Sequence, residues 1–553
     1  MPETSATTAA RGSAPSFDLT ERPWIRVLQL DGQERELSLR DVFAQARDIR
    51  RIAGDLPTQE FALVRLLLAI AHDALDGPKD IEHWSRLWND EACFVEVGEY
   101  LDLHRHSFDL LDPQAPFFQT AGLRTAKDEV FSLNRIVADV PNGDPFFSAR
   151  LPSVERLSFA EAARWVVHAH AYDTSGIKSG VVGDARAKGG KVYPLGVGWA
   201  GNLGGVFVEG TNLRQTLLLN LIAADTQGLA FGADDRPAWR RGPSGPGGAE
   251  RPPTGLRDLY TWQSRRLRLH ADASGVHGVV LGYGDPLPAR NMHTYEPMTA
   301  WRRSPAQEKK YGKPLIYLPR EHDPARSAWR GIASLVADQK PADGALAYLR
   351  PAVLEWVARL VTTRVLSRGF LVRARIIATT YGTQQSVVDE VIDDHLTMDV
   401  VLLHQQDREY AQAAIDAARD ADEAVKTLGD LATDLNRAAG SENEGPRAVV
   451  RDRAFGDLEG PYRVWLAALG KADDPIDQRT EWQRQAYDIV LRLGRQLVAD
   501  AGEPAWEGRT VASKGGSQWL NSALAERWFR ARLRTCLAQP FPSDRPSDSD
   551  AAK

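Results

Sequence analysis

At 553 residues, with 43% hydrophobic and 26% charged side chains, the chain has the make-up of a globular protein of about two to four domains, which excludes a disordered polymer. Its formal net charge of −6 excludes a protein that coats nucleic acid by bulk electrostatics, and no apolar run approaches the roughly 18 residues of a membrane span. Only Cys93 and Cys536 are present, which excludes a disulfide framework and a thiolate zinc site and predicts a reducing, cytoplasmic setting.

The opening MPETSATTAARGSAPS lacks an apolar core and reads as a loose terminus rather than a signal peptide. FDLTERPWIRVLQLDGQERELSLRDVF predicts short strands around an Asp31-Gly32 turn, with Ser38 starting a helix. Phe61, Val64, Leu67, Leu68 and Ala71 follow helical spacing after Thr58, so a buried core helix runs to Gly77 and Pro78. His72-Asp73 has the residue types of a metal-dependent phosphohydrolase pair, but no matching ligands follow, and a surface-facing helical histidine is the expected reading. His104 with His106, and His168 with His170, stand two apart and cannot share a helix face, and a catalytic zinc would need a third ligand.

From Asp112 to Gly210 the chain is rich in Gly, Pro and Phe and predicts at least two long loops, before TNLRQTLLLNLIAA returns to helix. GVGWAG (196–201) has dinucleotide-turn spacing but lacks the strand before and helix after it. GDARAKGGK, ending at Lys191, is not a phosphate loop; its glycines let backbone approach a phosphate or a groove edge. RRGPSGPGGAERPPTG from Arg240 reads as a flexible insertion, and Ser244 within it lacks the spacing of a nucleophile elbow.

Between Pro286 and Arg330 nine Lys or Arg face four acids, whereas Val401–Gly470 carries eight basic against thirteen acidic residues. A contact to phosphates in the middle of the chain and a separate partner surface later fit this split, as does an ordinary solvated mosaic. The strand-like run Gly369–Tyr381 breaks at Gly382 and leads into Thr383, Gln384 and Gln385, with helical pattern predicted from Ser386 onward. Two readings stand: a solvated turn in which Ser386 caps the next helix, or an amide-bearing prong that presses into something polar and flat, such as a base pair. Four helices are predicted near 403–438, 446–470, 476–501 and 517–538, with apolar stripes marked by Trp465, Trp482 and Trp519; short connections make them an antiparallel bundle. The tail after Pro540 is predicted to be disordered.

FDLTERPWIRV through DIRRIAGDLPTQEFALVRLLLAI, KSGVVGDARAKGGK, GWAGNLGGVFVEGTNLRQTLLLNL, GDPLPARNMHTYEPMTAWRRS and YGTQQS occur in this order. On these blocks the chain, from about Phe17 to about Leu537, resembles the CasA-type large subunit of the type I-E CRISPR surveillance complex Cascade. The resemblance implies an α+β protein: disordered residues 1–16, a large mixed α/β DNA-recognition domain over 17–395, an antiparallel four-helix bundle over 396–539, and a disordered 540–553. It implies a non-catalytic subunit without cofactor or metal that recognises the protospacer-adjacent motif of double-stranded DNA, opens the duplex and helps recruit a helicase-nuclease. Target DNA, guide RNA and sibling Cascade subunits are then its partners, with no membrane involved.

By the same resemblance the duplex-opening wedge falls on Gln384 and Gln385, with Thr383 where some relatives carry asparagine. The family's glycine loop falls on 176–190, with Lys178, Gly180, Gly189 and Gly190 toward the minor groove, and Arg290 or Asn291 takes the place of its lysine finger. Phe147, in VPNGDPFFSARLPS, is by this resemblance the aromatic that meets the guide RNA handle; the local excess of basic charge, in turn, makes Arg302, Arg303, Lys309 and Lys310 the expected phosphate contacts. A metal-dependent phosphohydrolase using His72 and Asp73, and a scaffold that touches only protein and RNA, are the competing readings.

Overall fold

The Asp31-Gly32 turn joins β1 (Ile25–Gln29) to β2 (Glu34–Leu37), with Gly32 at φ 83°, the left-handed conformation that a tight hairpin demands. Ser38 accepts the Asp41 N–H and so caps α1 (Leu39–Ala44), after which β3 (Ile49–Ile52) pairs antiparallel with the other edge of β1. The computed structural model describes residues 15–138, 154–336, 346–404, 406–513 and 516–541. They form an α+β fold that divides into two units. The first comprises the chain through Thr299, Ser304–Glu321 and Ile377–Asp393; the second comprises Ala300–Arg303, His322–Ile376 and the chain from Asp394.

The centre of the first unit is α2 (Pro57–Ala74), which is apolar around its whole circumference and buried from Thr58 to Asp73. Such burial forces its polar residues to find partners. Arg65 makes two bonds to Glu296, at 2.9 and 2.7 Å, with its guanidinium over the rings of Trp199 (4.2 Å) and Tyr260 (4.3 Å). His72, expected on the surface, is buried as well, its Nδ1 2.9 Å from the Gly77 carbonyl, because the helix has no solvated face at that turn.

After α3 (Ile81–Asn89) and α4 (Val95–His104), α5 (Phe159–Tyr172) packs on α2. It starts with a capping box, Ser158 and Glu161 each bonding the other's backbone N–H. The two-stranded ribbon β4 (Lys178–Ser179) and β5 (Lys191–Val192) follows, then β6 (Gly205–Val208), α6 (Leu213–Asn220) and α7 (Leu256–Tyr260), and a hairpin of β7 (Arg265–Asp272) and β8 (Gly275–Tyr283). The segment from Arg240, expected to be a flexible insertion, is pinned instead. Arg266 donates to the Gly245 carbonyl at 2.7 Å, Ala249 N–H donates to Asp285 at 2.9 Å, and Arg251 pairs with Asp258 and lies 4.3 Å over Trp262.

Farther along come β9 (Trp301–Arg303), α8 (Pro305–Tyr311), β10 (Tyr317–Pro319), α9 (Ala333–Val336), β11 (Tyr348–Leu349), α10 (Ala352–Thr362), β12 (Leu371–Tyr381) and β13 (Val388–Asp399). The helix predicted from Ser386 is therefore a strand. Val388, Val391, Ile392, Leu396 and Met398 suit the pleat beside β12, and the intervening acids at Asp389, Glu390 and Asp393 stay at the surface.

The second unit contains the bundle: α11 (Arg408–Ala439), α12 (Gly445–Ala468), α13 (Pro475–Asp500) and, after the short α14 (Gly502–Glu507), α15 (Ser522–Cys536). Helix α11 packs against each of the other three long helices. Tyr462, Trp465 and Trp482 interlock at ring separations of 5.2 to 5.8 Å, and the Tyr462 hydroxyl and Trp482 Nε1 donate to the carbonyls of Ala414 and Ala417, both at 2.8 Å. At Gly494 an added Cβ would lie 2.2 Å from the Phe529 ring, so α13 and α15 touch through a residue that has no side chain. The fourth helix starts later than predicted. Residues 509–520 form a hairpin of β14 (Arg509–Ser513) and β15 (Gly516–Leu520) that leaves Trp519 exposed rather than in the core stripe.

Candidate nucleic-acid interface

Strands β12 and β13 are joined by a tip in which Gly382 N–H bonds the Val387 carbonyl and Ser386 N–H bonds that of Thr383. Gln384 and Gln385 both sit at φ 56°, a left-handed conformation that costs a residue with a Cβ roughly 1 kcal/mol or more. Bonds on one side hold it. Ser175 N–H donates to the Gln385 carbonyl at 2.7 Å, and Gln385 Nε2 donates to Asn202 Oδ1 at 2.9 Å. Thr383 and Gln384 are exposed, and no described residue bonds the Gln384 amide. The three polar residues thus divide their work: Gln385 anchors the tip inward, while Thr383 and Gln384 face solvent.

Behind the tip, Tyr381 donates its hydroxyl to the Tyr172 carbonyl at 2.8 Å, and burial pushes its phenol well above the usual range. Gly201 and Gly198 permit this packing, since an added Cβ would meet Tyr381 at 2.4 Å in the first case and the Ala171 backbone at 2.4 Å in the second. Two of the three glycines in the GVGWAG run therefore serve close contact with α5 and the hairpin.

The glycine ribbon is built on a buried ion cluster. Lys178 Nζ lies 2.9 and 2.8 Å from the two oxygens of Asp173, which Arg265 also grips, while Arg265 bonds the carbonyls of Asp173, Thr174 and Gly196 as well. Burial draws the Lys178 ammonium down from its ordinary value despite Asp173; burial raises Asp173 too, but Lys178 and Arg265 outweigh it and hold the carboxyl low. Beyond this base, Gly180 N–H bonds the Gly190 carbonyl, and Lys188 and Lys191 bracket a turn with Gly189 at φ 58° and Gly190 at φ 75°. Gly180 is packed, its would-be Cβ 2.9 Å from Ala187, whereas Gly189 and Gly190 face open space. A groove of about 350 Å³ runs between this turn and the 125–135 segment, lined by Lys127, Arg135 and Lys191 among others.

A family model for the CRISPR-associated protein Cse1 matches residues 18–493. The chain belongs to the Cse1 family. The crystal structure of Thermobifida fusca Cse1 is 56% identical, with a TM-score of 0.89 over 95% of this chain and 99% of that one. Cse1 from Acidimicrobium ferrooxidans is 32% identical, with a TM-score of 0.81 over 95% and 98%. A chain in a CRISPR RNA-guided surveillance complex shares the fold at 18% identity, with a TM-score of 0.69 over 94% and 99%.

The other residues singled out from the sequence of this Cse1-family chain have varied settings. Lys178 is not presented to a ligand, because Asp173 occupies its ammonium within the buried cluster. Asn291 is also committed internally: its N–H donates to the Tyr317 carbonyl at 2.9 Å and its Oδ1 accepts the Tyr317 N–H at 2.7 Å, at φ 56°. Arg290 is exposed as Asn291 is, and stacks 3.9 Å over Tyr311. Lys309 and Lys310 are exposed in the last turn of α8, where cations also suit the helix dipole, whereas Arg302 and Arg303 lie on β9 in the second unit. Phe147, its loop and the outermost termini lie outside the described residues.

The His72-Asp73 pair is structural. Asp73 receives Arg240 at 2.9 and 3.0 Å, Arg257 at 3.1 Å and the Tyr100 hydroxyl at 2.6 Å, so its oxygens are filled by donors. Burial, aided by the charge of Arg257, pushes the His72 imidazole down to about 3. Among the described residues no three His, Cys, Asp or Glu converge as metal ligands. Asn202 and Ser175 escaped the sequence reading, because only the fold brings them to Gln385.

Proposed function

We propose that the chain is the large, non-catalytic subunit of a type I-E CRISPR RNA-guided surveillance complex in the cytoplasm, binding guide RNA and sibling subunits. In this role it recognises the protospacer-adjacent motif of double-stranded DNA, opens the duplex beside it and helps recruit a helicase-nuclease. Membership of the Cse1 family supports the setting. The observation that carries the reading is the hairpin tip: an exposed Gln384 in a strained left-handed turn, braced from behind through Gln385. Unstacking a base step costs a few kcal/mol, and an amide with both donor and acceptor offsets part of this by bonding exposed base edges. The Gly189-Gly190 turn, backbone without side chains, suits a minor groove in which base pairs differ only coarsely, so it enforces a permissive motif while guide pairing reads the sequence.

The test uses the assembled complex and a duplex carrying 2-aminopurine beside the motif. Gln384→Ala is expected to leave assembly intact and to slow strand separation about tenfold or more. Strand separation at the wild-type rate overturns the role of the tip.

A further inference from the structure

The second unit holds a cationic groove of its own. Helix α10, the turn that follows it, and residues 399–404, 406–407 and 470–471 enclose about 970 Å³ of open space. Its acids are already partnered. Glu355 takes Arg350 at 2.5 Å, Asp399 accepts the Val401 N–H at 3.0 Å and is buried, and Asp407 faces His404 at 3.4 Å. Arg364, Arg368 and Lys471 are exposed, and no described residue pairs with them. The groove wall is also closely built, since a Cβ at Gly470 would lie 2.3 Å from Asp399 Cγ.

Arg364 is an independent signal. Helix α10 ends in a Schellman arrangement: Val365 N–H bonds the Leu360 carbonyl at 2.9 Å and Arg364 N–H that of Val361 at 2.9 Å, with Arg364 itself at φ 64°. That position ordinarily belongs to glycine, and an arginine there is held against its backbone preference. Local rules are broken most often where a side chain has work to do. Among the described residues no exposed large hydrophobic side chain lines this groove, which lacks the apolar anchors of a protein interface and presents three exposed cations instead.

We propose that this groove binds the phosphodiester backbone of a nucleic-acid strand through Arg364, Arg368 and Lys471, as a site additional to the hairpin tip. The reading does not depend on the tip's role. Phosphates spaced along a strand match a row of cations without base readout, and such contacts make affinity fall steeply with salt.

The test is fluorescence anisotropy on the full chain with three 30-nucleotide probes, single-stranded DNA, the same sequence as RNA, and duplex DNA, and with poly-glutamate as an acidic polypeptide. Arg364→Gly with Arg368→Gln is expected to weaken at least one nucleic acid about tenfold near 0.1 M salt and to lower its log–log salt slope by about 1.4 to 1.8, two contacts' worth. The probe losing most identifies the strand. Arg368→Lys retains binding, and Arg364→Gly alone melts no lower than the wild type. Unchanged affinity and slope for all three nucleic acids, a loss confined to poly-glutamate, or a lower melting temperature for Arg364→Gly overturns the proposal.

Discussion

The first unit and the helix bundle of the second differ in what they bury. In the first, Arg65 with Glu296 and Asp173 with Lys178 and Arg265 are buried on both sides of the pair, and the imidazoles of His72, His168 and His170 are buried as well. In the bundle the interior is aromatic and aliphatic, and where charge enters, at Asp420, its partner Arg479 stays partly exposed. Buried ion pairs bring little net stability but punish the loss of either member, and they tie together segments far apart in sequence. The first unit uses them to hold loops that have little hydrogen-bonded structure of their own, such as those carrying Asn202 and the glycine ribbon. The bundle relies chiefly on packing, with ion pairs such as Arg447–Asp430 and Arg532–Asp434 at its margins.

The sharpest way to break this contrast is to remove one partner. Arg65→Met leaves Glu296 buried and unpaired, with an expected loss of about 3 to 5 kcal/mol in denaturant unfolding, and adding Glu296→Leu recovers much of it. If the double variant is as unstable as the single, the pair contributes by packing, and the two units differ less than described.

Acidification sharpens the same contrast. Burial pushes His72 and His170 down to about 3 and His168 to about 4. The unfolded chain, with histidines near 6.5, then binds more protons, so stability is full above about pH 6.5 and falls until about pH 3 to 4. By pH 5 each imidazole accounts for about 2 kcal/mol of lost stability. Hydrogen exchange resolved by segment should show α2 and α5 losing protection between pH 7 and 5 while α11 and α13 hold. Equal loss in all four helices would place the pH sensitivity elsewhere.

The smallest effect concerns the tip. Asn202→Ala and Gln385→Ala each remove the same 2.9 Å bond and should cost about 1 kcal/mol, with no further loss when combined. Additive losses in the cycle would mean that the two side chains act separately.

Much of this fold is legible in the sequence where one physical signal dominates. The all-apolar α2, the Asp31-Gly32 turn and three of the four long bundle helices follow from periodicity and turn chemistry. Errors arose where a local signal competed with tertiary pairing. Ser386 has the look of a helix cap, yet β12 offers an edge that recruits residues 388–399 as a strand. Trp519 fits a helical stripe but sits on a hairpin. The Ser158 capping box is readable in the sequence and marks α5 within the 112–210 stretch, where at least two long loops are expected. At the interface, the glutamines and the paired glycines stand out by residue type, but the division of labour between Gln384 and Gln385 depends on Asn202, which is 183 positions away.

The two consecutive left-handed residues at the tip carry an implication for comparing relatives. Asparagine, aspartate and glycine enter that backbone shape most easily and β-branched side chains least, so the set of residues tolerated at 384 and 385 is filtered first by backbone geometry. A glycine or asparagine at either place in a homologue would be explained by the turn alone, whereas a bulky side chain retained there would mark selection by the ligand.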